Sequence, residues 1–326
     1  MNIGHKTAKV LLLGLVFLWM VSLFTGCVSI KKGNEEPDGR LYVVCTVFPQ
    51  YDFIKNIAGD RVRLEILLPP GTDTHNYGLK DISISQLDRI SRADLFVFVG
   101  GESDEQLREE LRTAIKEDTA FLTLLSLIDD PLCENEADHS HESDHHDHDV
   151  QPDEHVWTSP KRAMELVDDL TKQLCRLDPD GEKIYQEGAR IYREKLAVLD
   201  AQYEQLKESR RLDTLIFADR FPFRYLCSDY DITAHAAFSG CASDVEPSLS
   251  RLDELYNKAM ELSLPAILYM EGSTPVYAEK LAERIGKQAL MLHSCHVLRE
   301  EEQGKTDYIT LMEQNLSVLQ IALGVN

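Results

Sequence analysis

Positive charge is what this chain has least of. Its 326 residues carry 34 Lys and Arg against 56 Asp and Glu, a formal charge of −22. No basic footprint is left for a phosphate backbone, which excludes nucleic-acid binding. Long apolar runs are scarce too. Val10 to Phe24 forms one, and no later stretch is long and apolar enough to span a bilayer. The cysteines include no CxxC pair and show no small-domain disulfide framework. No serine nucleophile elbow occurs, so one common hydrolase signature is missing.

What the chain does have begins at its N-terminus. His5, Lys6 and Lys9 precede the apolar run, which reads as a secretion signal too short to span comfortably. It ends in Leu23-Phe24-Thr25-Gly26-Cys27, which resembles the lipobox of bacterial lipoproteins. That resemblance implies cleavage before Cys27 and lipidation of it. Ser29 to Arg40 is polar and reads as a tether. The mature chain is therefore expected outside the cytosol, held to a membrane by acyl chains. Disulfides are permitted there. Most of Cys45, Cys133, Cys175, Cys227, Cys241 and Cys295 read as buried apolar residues. Cys241 and Cys295 fall in loops and are the expected bridge.

Hydrophobic periodicity then alternates. Strands are expected at 41–47, 62–68, 95–99 and 120–128, with helices at 50–57, 81–93 and 106–115 between them. Pro160 to Leu177 reads as a helix capped by Ser159, and Glu182 to Arg210 as one long charged helix. The alternation resumes with strands at 214–218, 232–238, 266–270 and 289–293, and helices at 221–230, 249–261, 276–285 and 308–323. The expected architecture is α/β: two lobes, 41–180 and 212–326, each with a mainly parallel sheet flanked by helices. The helix at 181–211 joins them, and a ligand sits in the interlobe cleft at the strands' carboxyl ends.

One tract stands apart in chemistry. DHSHESDHHDHDVQPDEHVW, residues 138–157, holds six of the eleven histidines. Imidazole and carboxylate suit Zn²⁺ and other divalent first-row metals. His139, His141, His145, His146 and His148 lie in a polar segment that cannot bury enough apolar surface to order itself. It reads as a surface loop of accessory metal-binding capacity. His155 lies next to the 160–177 helix, where backbone would be ordered, and is a candidate ligand. His75, Glu271 and His293 also follow apolar runs, and all four can converge on the cleft. Glu271 has a second reading, as the cap of the helix beginning near Thr274.

These residues sit in motifs that resemble a known family. Val47-Phe48-Pro49-Gln50-Tyr51-Asp52-Phe53, Leu68-Pro69-Pro70-Gly71-Thr72-Asp73-Thr74-His75-Asn76-Tyr77, Ala93-Asp94-Leu95 and Asp153-Glu154-His155-Val156-Trp157 occur in family order. The family is the metal-specific solute-binding lipoproteins of bacterial ABC importers, and the acidic His-rich insert resembles its zinc-type members. The resemblance implies a cleft-bound metal, a membrane permease with its ATPase as partner, a monomer, and His75 and His155 as ligands. The family's third ligand falls on Ala218 or, in a shifted register, on Arg220, and neither can ligate. Asp219, or a residue from elsewhere, must replace it. The family's late Asp aligns with His293, with His296 close enough to take that role. Glu271 aligns near the family site, either as a ligand or paired with Arg220.

Three imidazoles favour zinc over manganese, which remains the alternative cargo. Binding needs neutral imidazole, so uptake is expected to weaken as pH falls through about 6.5. Two other functions fit the same residues. An exported zinc hydrolase would use His75, His155 and His293 with Glu271 as base. A surface metal-storage or adhesin lipoprotein would work through the His-rich loop.

Overall fold

The computed structural model describes residues 39–72, 81–101, 108–109, 111–112, 115, 118–133, 151–238 and 246–325. Outside them lie Cys27 with the leader and most of the tether, His75, half of the 106–115 segment, the tract carrying His139, His141, His145, His146 and His148, and Cys241. Residues Arg40–Asn326 form one compact unit. No described helix is long and apolar enough to cross a membrane.

The first sheet contains β1 (Leu41–Cys45), β2 (Val62–Ile66), β3 (Leu95–Phe98) and β4 (Ala120–Thr123) in the order β2-β1-β3-β4. The second contains β5 (Thr214–Phe217), β6 (Thr233–Ala236), β7 (Ala266–Met270) and β8 (Gln288–Leu292) in the order β6-β5-β7-β8. Every pairing is parallel. The two sheets therefore share one topology, and in each the strand order reverses beside the first strand. Ligand crevices form outside the carboxyl ends at such a switch point.

Helices α1 (Phe48–Ala58) and α2 (Ile84–Arg92) flank the first sheet. Ser83 caps α2, accepting from Gln86 N–H while the Gln86 side chain accepts from Ser83 N–H. Pro160–Leu177 forms α3, and α4 (Glu182–Ser209) is the long connecting helix. Ser159 begins α3 but does not cap it with its side chain. Its hydroxyl donates instead to Asp229 at 2.6 Å, tying α3 to the second lobe. That lobe adds α5 (Arg224–Asp229), α6 (Leu249–Leu262), α7 (Val276–Arg284) and α8 (Tyr308–Ala322).

One apolar cluster runs through both lobes. It takes Val43, Phe53 and Ile57 from the first, Leu196, Leu199 and Tyr203 from α4, and Phe217, Leu268 and Leu319 from the second. Smaller clusters cover the outer faces of each sheet. Burying each large side chain contributes roughly 1.5–3 kcal/mol, so a continuous core holds the lobes as one body. The buried tyrosines of α4 add polar pins. Tyr192 donates to Asp52 of α1 at 2.8 Å, and Tyr203 donates to the Met312 carbonyl of α8 at 2.8 Å.

Candidate metal centre

Met270 pairs with Leu292 in the β7–β8 register, so Glu271 and His293 leave neighbouring strands side by side. His293 Nδ1 lies 3.6 Å from Glu271 Oε1, and both side chains are buried. Ser294 turns the chain back onto the carboxylate: its N–H donates to Glu271 Oε2 at 2.7 Å, and its hydroxyl donates to Oε1. Burial pushes the Glu271 carboxyl above its ordinary range, against the pull of His293 and Ser294. Glu271 is therefore committed to the turn after β8 rather than to capping the helix near Thr274.

Both ring nitrogens of His293 are engaged. Nε2 faces Glu302 Oε2 at 3.2 Å, and Nδ1 accepts the Cys295 N–H at 2.9 Å. Asn315 of α8 satisfies the His293 backbone as a strand neighbour would, accepting from its N–H and donating to its carbonyl, each at 2.7 Å. Burial by itself lowers the His293 imidazole, but Glu271 and Glu302 outweigh it and raise the group above its ordinary value. Burial by itself raises Glu302. Hydrogen bonds from His293 and Arg299 overcome that and hold it down to about 2. Glu302 is a member of this cluster that sequence reasoning missed. Its only signal was Arg299 three residues earlier.

Across the seam, the DEHVW motif positions His155. Asp153 Oδ1 accepts the His155 N–H at 2.8 Å and faces its Nδ1 at 3.1 Å. Asp153 is held in turn by the second lobe: Arg224 Nε lies 3.4 Å from its Oδ2, and the Tyr225 hydroxyl donates to its carbonyl at 3.0 Å. A carboxylate on Nδ1 fixes the imidazole so that Nε2 is the nitrogen presented to a metal. His155 is 1% exposed, which makes it an internal group and not a surface histidine.

His296 is the second-lobe histidine that reaches His155. Their ring centres lie 5.4 Å apart with planes at 84°. Trp157 packs against both, at 5.6 Å from His155 and 5.5 Å from His296. Three hydrogen bonds to its backbone carbonyls dock the 294–298 loop on the first lobe. Ser294 O accepts from Trp157 Nε1 at 2.8 Å, His296 O from Phe48 N–H at 3.3 Å, and Leu298 O from Gly71 N–H at 2.9 Å.

Asp219 has a structural task. Its Oδ1 accepts from Arg220 N–H at 2.8 Å and Ser273 Oγ at 3.1 Å, while Oδ2 accepts from Met270 N–H at 2.9 Å. It thereby staples the end of β5 to the end of β7. Ala218 is buried in apolar surroundings.

Of the expected Cys241–Cys295 bridge, Cys241 lies outside the described residues. Cys295 is a free, buried thiol. It occupies a left-handed turn, φ 61°, and its side chain belongs to the apolar core. Among the described residues, no three His, Cys, Asp or Glu side chains are grouped to hold a metal. The described part of the seam supplies the His155–His296 pair. Beside it stands the Glu271–His293–Glu302 cluster.

Residues 43–322 match the ZnuA family, the periplasmic component A of the zinc-uptake complex. The chain belongs to this family. It is 30% identical over 311 residues to the zinc-binding lipoprotein AdcA of Streptococcus pneumoniae, covering 94% of this chain and 60% of AdcA. The chain thus spans less than two thirds of that relative. The high-affinity zinc uptake system protein ZnuA of Bacillus subtilis is 29% identical over 302 residues, covering 90% of this chain and 92% of its own. Among solved structures, the metal-dependent lipoprotein YcdH of Bacillus subtilis superposes with a TM-score of 0.71 at 28% identity, covering 87% of this chain and all of YcdH.

Proposed function

We propose that this ZnuA-family chain captures Zn²⁺ as cargo outside the cytosol and delivers it to the membrane permease of an ABC importer with its ATPase. The ligands in this reading are His75, His155 and one second-lobe imidazole, His293 or His296, with Glu271 beside them. The carrying observation is His155: buried at the lobe seam, oriented through Nδ1 by Asp153, and facing a second-lobe imidazole. An imidazole-rich donor set favours zinc over manganese. Mn²⁺ is the weaker cargo.

Capture is favoured over catalysis by Glu271. It was the general base expected of a hydrolase built on His75, His155 and His293, and both its oxygens accept from Ser294. In this reading the chain is a monomer anchored through lipidated Cys27 on the outer face of the cytoplasmic membrane. His139, His141, His145, His146 and His148 gather zinc near the cleft.

The test is zinc titration of the metal-free chain against a chromogenic chelator. One tight site per chain is expected. It survives deletion of residues 138–149 and is lost in His155→Ala. A tight site that vanishes with the loop deletion and persists in His155→Ala would favour the storage function.

A further inference from the structure

Each lobe carries one copy of a short motif. DISISQLD, residues 81–88, opens α2, and EPSLSRLD, residues 246–253, opens α6. Both follow the edge strand of their sheet, β2 in one and β6 in the other, so they hold equivalent places in the shared topology. The local bonding is repeated as well. Ser83 and Ser248 cap their helices, accepting from Gln86 N–H at 3.3 Å and from Arg251 N–H at 3.1 Å. The Gln86 and Arg251 side chains then donate, each at 2.9 Å, to a carbonyl where the edge strand ends, Leu67 O and Ala236 O. What the motif presents is an apolar side chain in water. Ile84 is 88% exposed and Leu249 82%, ahead of every other large apolar residue among the described residues. Apolar side chains scattered singly on a surface need no explanation. These two are not scattered, since the same position of the same motif holds the knob in each lobe.

The fold fixes where the knobs stand. Alternate residues of a strand face opposite ways: Val43 and Phe217 turn toward the core shared with α4, Val44 and Ile216 toward the clusters under α2 and α6. Both knob helices therefore cover the side turned away from the connecting helix. Segments beyond the strand ends meet across the seam. Gly71, after β2, donates to Leu298, after β8, at 2.9 Å. Leu132, after β4, donates to the Tyr225 hydroxyl of α5, after β5, at 3.1 Å. The β2 edge thus lies opposite β8, and the β6 edge lies at the other end of the cleft. One knob stands at each end, on the side that α4 leaves open.

The rim decides what the knobs meet. Each motif begins and ends in an exposed acid, Asp81 and Asp88 around Ile84, Glu246 and Asp253 around Leu249. Acids around an apolar side chain disfavour an anionic bilayer surface. A net charge of −22 disfavours a second copy of this chain. A partner made of two like subunits shows the same surface twice about an axis, and a motif repeated in two lobes of one topology matches that repetition. Resting on the capture and delivery reading above, we infer that Ile84 and Leu249 are the docking anchors for the importer's permease. Each enters an apolar socket with a basic rim on one of two like permease subunits. Docking at both ends centres the cleft over the path between those subunits, so cargo leaving the seam is released toward it.

The experiment places the full lipidated chain on liposomes of phosphatidylcholine and phosphatidylglycerol that hold the host cell's zinc-importer permease with its ATPase. Zinc-dependent ATPase stimulation is read against the chain-to-permease ratio. Ile84→Ser and Leu249→Ser remove the knobs, and Val198→Ser, at a 61% exposed position on α4, is the control. All three are expected to keep wild-type unfolding and zinc affinity, because none belongs to the core or the candidate ligands. Each knob variant should raise the half-maximal ratio about tenfold and the pair about 100-fold, the loss of one and of two buried apolar side chains. Val198→Ser should leave it unchanged. A wild-type ratio in the double variant, a shift in only one knob variant, or an equal shift in Val198→Ser would overturn the inference and leave the delivery reading standing. Ile84→Trp and Leu249→Trp report the surroundings. Blue-shifted emission in liposomes without the permease would assign the knobs to the bilayer and overturn the docking. A wild-type chain that binds zinc tightly yet never stimulates the ATPase would sink the delivery reading itself.

Discussion

The Tyr192 hydroxyl of the connecting helix bonds to Asp52 Oδ2 across 140 residues of sequence, and Asn56 donates to the same oxygen at 3.2 Å. Asp52 belongs to the VFPQYDF motif and is 4% exposed. Burial raises its carboxyl to about 6, and the Tyr192 bond opposes only part of that rise. Between about pH 4 and pH 6 the folded chain holds a proton that the unfolded chain has released. Stability is therefore expected to fall as pH rises through that window, by up to about 3 kcal/mol at neutrality. Asp52→Asn should flatten this dependence and raise the urea midpoint at pH 7. A lower midpoint at pH 7 would mean that the charged hydrogen bond outweighs desolvation.

Gly188 lies where α4 crosses the end of α1. A Cβ there would stand 2.2 Å from the Ile57 carbonyl oxygen and 2.9 Å from that of Asn56. Both are backbone atoms that cannot swing aside. Alanine improves helix propensity by up to about 1 kcal/mol, but overpacking costs about 1–3 kcal/mol and a backbone clash lies at the upper end. Gly188→Ala is expected to lower stability by about 2 kcal/mol, read from chemical denaturation. An unchanged midpoint would show that the two helices can part without loss.

Thiol labelling examines the described cysteines. Cys45, Cys227 and Cys295 are buried, and burial pushes each thiol up, to about 12 for Cys227. The thiolate is the reactive form, so these three should resist iodoacetamide in the native protein. Cys133 and Cys175 are half-buried and should label first. In denatured, unreduced protein Cys295 should label fully. Protection that only a reductant removes would restore the bridge to Cys241.

Much of the fold was legible because its periodicities are strong. Ala266–Met270 and Pro160–Leu177 lie where the pattern placed them. Ends moved where tertiary partners ran out or local chemistry intervened. The apolar run at 120–128 pairs with β3 over Ala120–Thr123, keeps backbone bonds from Leu124 and Leu125 to the Phe98 and Val99 carbonyls, and then turns as a short helix at Leu125–Leu127. The helix expected from Phe221 begins at Arg224. Phe221 precedes Pro222, and a residue before proline disfavours helical backbone.

His155 was legible as a candidate ligand because Asp153, Val156 and Trp157 lie within two residues of it, and those neighbours orient and bury it. The opposite wall was not legible in the same way. His293 and His296 are both histidines in one loop, and no local pattern separates them. Their environments depend on the turn at Cys295, on Glu302 and Asn315 returning from later elements, and on Trp157 and Phe48 from the other lobe. The sequence by itself determined two parallel α/β lobes, a connecting helix and a histidine-bearing first wall, since hydrophobic period and short motifs are local properties. Only the tertiary structure decided which second-lobe side chain meets that histidine and which is held away in a buried charge cluster, because both depend on contacts between residues far apart in the chain.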